Sequence, residues 1–324
     1  MKFTSIPESY SSFREPLIYT FNTESTTPRD VELKIINRTT GEEIGRKRLY
    51  NVTTGEVDIA PYLRSASRPS LPASIEACGE VNVGTTIKVV VEAEGVTSSS
   101  RNYVATTIDR DALYMLLTSQ HLHRTMERDE FDLIGYFTWP DIVVSFDIEF
   151  IGSGTERLTI TPPSGGQRAV AVTARGREGV DMIRVSVKVD DVVSKVIEYD
   201  LMPNIRGSHR VAWLNSHLSP EVYTFPLRKS VLIEATRRHM ESVWGREAAA
   251  VESTSELKLL SAYEPEAQLK ALAEILSSPS VWLIEGTKVR DVRLATERVL
   301  LSPSEGMGII EVDIRAAEEG VQLW

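Results

Sequence analysis

The side chains best suited to chemistry lie close together, as the pair His121 and His123 and the carboxylates Glu127, Asp129, Glu130 and Asp132 of "ERDEFD". On a strand, an H-x-H pair puts both imidazoles on one face, where they could ligate a metal. A third ligand would have to come from Glu127 or Asp129, and the preceding "DRDALYMLLTSQ" reads as a helix capped by Asp109, at whose end an i,i+2 pair diverges. No metal is therefore expected. Paired carboxylates serve hydrolysis when held about 5 to 9 Å apart across a cleft, so "ERDEFD" supports a carboxylate-dependent hydrolase as the third of three readings. The local signatures of common enzymes are missing: no phosphate-binding G-x-x-x-x-G-K-[ST], no G-x-S-x-G and no H-E-x-x-H. "SELK" at Ser255–Lys258 lacks the companion motifs of an S-x-x-K hydrolase, and the lone Cys78 can form neither an internal disulfide nor a zinc site. No catalytic residue and no cofactor is assigned.

Aromatic residues form the next candidates, in a chain where they make up only 7% of residues. Tyr136, Phe137 and Trp139 in "GYFTWPD" could stack on sugar rings, which makes a carbohydrate-binding or adhesive module the second reading. The stretch "VAWLNSHLSPEVYTF" gathers Trp213, Tyr223 and Phe225 around Asn215 and His217. It reads as a strand through Leu214, a turn through "SHLSPE" and a second strand in "VYTF". Trp213 and Phe225 would anchor a domain junction, and the Asn215 side chain would bond to backbone groups of the turn.

The elements that must hold these residues are mostly strands. Apolar and polar residues alternate in "DVELKII", "TIKVVVEAE", "IVVSFDIEF" and "MIRVSVKV", as a pleated strand with one buried face requires. Glycine-bearing clusters such as "NRTTGEE", "GSGTE" and "PPSGGQ" supply hairpin turns. A second helix is predicted in "EPEAQLKALAEILSSP", where Leu269, Leu272, Ile275 and Leu276 form an apolar stripe and Pro279 ends it. "SVLIEATRRHM" is ambiguous, with its first half read as strand. The expected fold is mainly β: antiparallel sandwich-like domains with a smaller α+β module at the C-terminus. Its divisions are 1–108, an N-terminal sandwich; 109–225, a helix-containing connector and second β domain; and 226–324, the α+β module.

Composition limits the partners. At 324 residues there is material for two or three domains, and 46 acidic against 36 basic residues leave a net charge of −10, which repels nucleic acid and anionic lipid. The triplet Arg46-Lys47-Arg48 reads as a solvated strand edge. No signal peptide and no membrane-length apolar run are visible, so the chain is expected in the cytoplasm when synthesised.

Two motifs carry a family resemblance. Trp213-Leu214-Asn215 followed by Tyr223-Thr224-Phe225, and then "SPSVWL" from Ser278 through Trp282 to Leu283, resemble structural proteins of bacteriophage and prophage tail modules from gut bacteria. "VDIAPYLR" resembles their early segment, and the glycine usual at the junction is replaced here by "SHLSPE". The resemblance covers about half the chain. It implies a non-enzymatic tail or assembly component, located in the virion, working through contacts with itself or other tail proteins. On that reading Trp213, Asn215, Tyr223, Phe225 and Trp282 are interface or junction residues.

Overall fold

In "FDLIGYFT" the polar face of a surface strand is missing, and all eight residues of Phe131–Thr138 are buried. Phe131 and Leu133 pack on one side of this strand, Ile134 and Tyr136 on the other. A strand apolar on both faces belongs in the middle of three layers. The computed structural model, which describes residues 1–242, 245–299, 301 and 306–317, places it there.

The middle sheet is antiparallel, in the order Tyr114–Leu116, Phe131–Thr138, Gly166–Thr173, Gly79–Val81. In front of it stands a five-stranded sheet in the order His123–Glu127, Val192–Met202, Val180–Val189, Val144–Gly152, Thr155–Ile160. Alternation sends Phe146, Ile148, Ile183, Val185 and Val187 into the core between these two sheets. Behind lies a seven-stranded sheet: Pro220–Phe225, His209–Leu214, Val281–Glu285, Lys288–Leu294, Glu311–Ala316, Gly245–Leu260, Leu227–Ser242. Ala212, Leu214, Val222 and Trp282 fill the space between middle and back sheets. Trp213, Phe225, Leu257 and Leu283 point the opposite way, under Leu269 and Leu272 of helix Glu266–Ala273.

A separate sandwich precedes these layers. The sheet of Lys2–Ser5, Ile18–Asn22 and Thr54–Asp58 faces one of Glu43–Val52, Arg29–Asn37, Thr86–Ala93, Val96–Thr97 and Arg101–Val104. Tyr19, Phe21, Leu33, Val91 and Tyr103 form its core. The basic triplet lies on the edge strand Glu43–Val52, where Arg46 pairs with Glu32 and Glu43, and Arg48 with Asp30. Charges on an edge discourage pairing with other chains.

The mainly β character, the antiparallel sandwiching and the C-terminal helix follow the sequence reading. "DRDALYMLLTSQ" does not. Asp109 opens a turn, its Oδ1 accepting from the Asp111 amide, and Tyr114–Leu116 pairs as a strand with Thr138–Tyr136. Helical spacing of Leu113, Leu116 and Leu117 was the misleading signal. Tyr114 and Leu116 face the front core while Met115 and Leu117 pack with Phe137, a period of two. The strand Leu227–Ser242 runs through the whole of "SVLIEATRRHM". The back sheet draws strands from both sides of residue 225, and Gly79–Val81 crosses from the first 108 residues into the middle sheet.

Candidate functional site

Where the middle and back sheets meet, the hairpin of "WLNSHLSPEVYTF" folds onto the segment that leads to "ERDEFD". Asn215 organises the turn as expected. Its Oδ1 accepts from the amides of His217 at 2.9 Å and Ser219 at 3.1 Å. Its Nδ2 reaches outward to the Leu117 carbonyl and to Glu221 Oε1, both at 2.9 Å. Glu221, 1% exposed, binds the connector further: Oε1 accepts from the Ser119 amide at 2.7 Å and Oε2 from Gln120 Nε2 at 2.8 Å. Burial pushes this carboxyl up, and Arg124 with these donors pulls against it. Gly135 allows the close approach, because a Cβ there would stand 1.6 Å from Ser219 Oγ.

Beside Glu221 lies an ion network. Arg124 Nη1 donates to Asp132 Oδ2 at 2.7 Å, and the two side chains are 5% and 2% exposed. Arg124 also donates to the His121 carbonyl and to Thr118 Oγ1. Arg210 donates from Nε to the Phe131 carbonyl at 2.8 Å and from Nη1 to Glu130 Oε2 and Thr224 Oγ1, with Nη2 3.5 Å from Asp132 Oδ1. Desolvation disfavours each of these charges alone, and the shared partners offset it. A cavity of about 310 Å³ opens next to the network, lined by His121, Arg124, Asp132, Arg210, Tyr223 and Glu264 among others.

The carboxylates of "ERDEFD" are thus divided. Asp132 and Glu130 converge on Arg210, Glu127 is buried beside Ser208 and Ile205, and the exposed Asp129 accepts from Asn204. The two histidines both border this cavity but are held by different partners. His123 begins strand His123–Glu127, paired parallel with Val192–Met202, and its ring meets Asp200 Oδ2 at 2.8 Å and Glu198 Oε2 at 3.6 Å. Its hydrogen bond to Asp200 holds its pKa above the usual imidazole value. His121 precedes the strand and is fixed by its amide to Gln268 Oε1. Among the described residues no group of three or more His, Cys, Asp or Glu is arranged to hold a metal. Cys78 exchanges hydrogen bonds with the Thr173 backbone, and burial pushes its thiol pKa up.

The sugar-stacking assignment is corrected at two of its three positions. Tyr136 and Phe137 are fully buried, on opposite faces of the middle sheet, so neither ring can meet a glycan. Trp139 is half-buried, stacked edge-on to Phe137 and Tyr10, with Nε1 donating to the Ala112 carbonyl. The junction residues do come together, inside the chain. Trp213 and Phe225 are buried on the helix side, and Tyr223 Oη donates to Glu264 while accepting from the Ala262 amide. Trp282 lies on the opposite face, against the middle sheet.

The far edge of the back sheet carries a feature that sequence reasoning passed over. Leu227–Ser242 pairs with Gly245–Leu260 from Leu227↔Leu260 out to Ser242↔Gly245. Glu311–Ala316 flanks this hairpin only along Glu256–Leu260. The remainder projects as a two-stranded arm, roughly 30 Å long at about 3.3 Å per residue. Val231, Ile233 and Ala235 share a face with Ser255 and Leu257, while Leu232 and Glu234 share the other with Thr254 and Glu256. Leu257 lies in the core and Val231 packs against it, so this face continues the core side of the sheet outward to Ile233, which is 60% exposed. The signal was available as the run of strand-compatible residues on either side of Gly245.

No protein-family model matches the chain, and no curated protein matches it. Among the described residues, no helix is long and apolar enough to cross a membrane.

Proposed function

We propose that the protein is a non-enzymatic structural or assembly component of a phage or prophage tail, acting through protein–protein contacts. The observation that carries this reading is the arm. A two-stranded ribbon in water is marginal by itself, and three or more strands with a covered apolar face are needed for independent stability. An arm that carries Leu232 and Ile233 exposed beyond the last flanking strand offers a surface that another protein can complete. The resemblance of the "WLN…YTF" and "SPSVWL" motifs to tail proteins supplies the setting, and the charged junction supplies a rigid base from which the arm extends.

The test replaces residues 233–253 by a short turn and follows incorporation into tail particles purified from the producing bacterium. Loss of the shortened chain from particles, with its fold intact by circular dichroism, is the expected result. Full incorporation of the shortened chain, or no tail particle containing the wild-type protein, would overturn the reading.

A further inference from the structure

We infer that the cavity beside the ion network is a binding site for a short zwitterionic peptide, of dipeptide size, with apolar side chains. The inference stands apart from the assembly reading above. Two arginines, Arg124 and Arg210, and two carboxylates, Asp132 and Glu264, line the cavity, so their charges balance and favour a ligand of no net charge. His123 brings its own counter-ions, Asp200 and Glu198. Most of these groups are engaged within the chain. Arg124 is held by Asp132, Thr118 and the His121 carbonyl, and Gln268 donates to Gln120. Two groups have capacity left. Arg210 Nη2, on a side chain 3% exposed, has Asp132 Oδ1 at 3.5 Å as its one contact among the described residues, although a guanidinium nitrogen of this kind carries two N–H donors. Glu264 accepts from the Tyr223 hydroxyl on Oε1, while its Oε2 has no partner and the side chain no ion pair among the described residues.

The fold sets these two groups apart. Pro220–Phe225 is the outermost strand of the back sheet, and Val222 on its middle-sheet side and Tyr223 on its helix side both line the cavity, which therefore wraps the outer edge of that strand. Arg210 lies on the first side, where it donates to the Phe131 carbonyl, and Glu264 on the second, against the Tyr223 hydroxyl. A ligand that meets both must carry an anionic acceptor at one end and a cationic donor at the other, with an apolar body against Val222, Tyr223 and Pro265. A free amino acid holds both charges on one carbon, too close together to span the strand. A dipeptide separates them by a further Cα–Cα step of about 3.8 Å. A sugar of similar size presents hydroxyls all round, and the wall has too few unengaged groups to pair them. At about 310 Å³ the cavity is at the low end of the roughly 300 to 1,000 Å³ usual for small-molecule sites, which suits two residues.

The test is isothermal titration calorimetry of the full chain with leucyl-alanine, for which a dissociation constant of about 0.1 to 1 mM is expected. N-acetyl-leucyl-alanine lacks the ammonium and leucyl-alanine amide lacks the carboxylate. Each is expected to bind at least about tenfold more weakly, as loss of a charge-assisted hydrogen bond requires. Glu264→Gln keeps an acceptor for the Tyr223 hydroxyl, so its fold should hold in urea unfolding. It is expected to weaken the free dipeptide about tenfold and to leave the acetylated one unchanged. Because Arg210 also holds Glu130 and Thr224, the carboxylate end is read from the amide probe and not from a variant. No binding of leucyl-alanine at about 10 mM, equal affinity for free and blocked forms, an unaffected Glu264→Gln, or tighter binding of leucine or glucose would each overturn the assignment. None of these results bears on incorporation into tail particles, so this inference and the assembly reading fail separately.

Discussion

The back sheet ends in two unlike ways. At the edge strand Pro220–Phe225 and its neighbour His209–Leu214 the charged groups have internal partners: Glu221 holds Ser119, Gln120 and Asn215, while Arg210 holds Glu130, Thr224 and Phe131. At the opposite edge the strand Leu227–Ser242 runs past its neighbours with Leu232 and Ile233 exposed. Both edges carry charge, but at the junction it is desolvated and bound within the chain, whereas on the arm the described charged side chains Arg228, Lys229, Glu234 and Glu241 are exposed. A buried ion network is costly to break and fixes one arrangement, whereas exposed charges cost little and can select a partner. The same sheet can thereby be held rigidly at one side and remain open to association at the other.

The sharpest test of this contrast removes one carboxylate from each end. Asp132→Ala leaves Arg124 and Arg210 buried with a shared partner gone, and a loss of about 3 to 5 kcal/mol in urea unfolding is expected. Glu241→Ala on the arm should stay within about 0.5 kcal/mol at concentrations where the chain is monomeric. Equal losses would erase the distinction. Next in size is Gly135→Ala, where the added Cβ meets Ser219 Oγ and must displace the turn. Overpacking of this kind costs about 1 to 3 kcal/mol, and Gly135→Ala with Ser219→Gly should recover much of it.

Most of the β framework was legible because a strand with one wet face writes its pattern at period two, as in "IVVSFDIEF". "FDLIGYFT" was harder to read. Buried on both faces, it lacks that alternation, and its aromatics resembled a binding rim when they are core. The Asn215 turn was foreseen from the local chemistry of asparagine, which acts within a few residues. Glu221 and Arg210 were not, since their partners lie about 80 to 100 positions away and only the layering of sheets unites them. The helix expected at 109–120 failed because leucine spacing over one turn also fits a short strand whose two faces meet different cores. The arm was half seen: propensity marked its strands, but nothing local tells a strand that ends within a sheet from one that leaves it.

The finest probe of the junction is pH, because its groups shift in opposite directions. Glu221 is raised by burial above its unfolded value of 4.5, so its contribution is fully present below that value and is lost as pH rises through the folded pKa. His209 and His217 are lowered by burial from 6.5, so their contribution is present above 6.5 and is lost as pH falls through their folded values. Glu221→Gln should therefore flatten the part of the stability curve just above pH 4.5, besides costing about 1 to 3 kcal/mol for mismatched hydrogen bonds. His217→Gln, which can keep a bond to Thr106 Oγ1, should flatten only the decline below pH 6.5 and by less, because His209 still titrates there. The arm holds His239 exposed and offers no buried titrating group among its described side chains. Removing the arm should therefore leave both flanks of the curve in place. A curve whose acid flank disappears with the arm would move the pH-sensitive element from the junction to the opposite edge of the sheet.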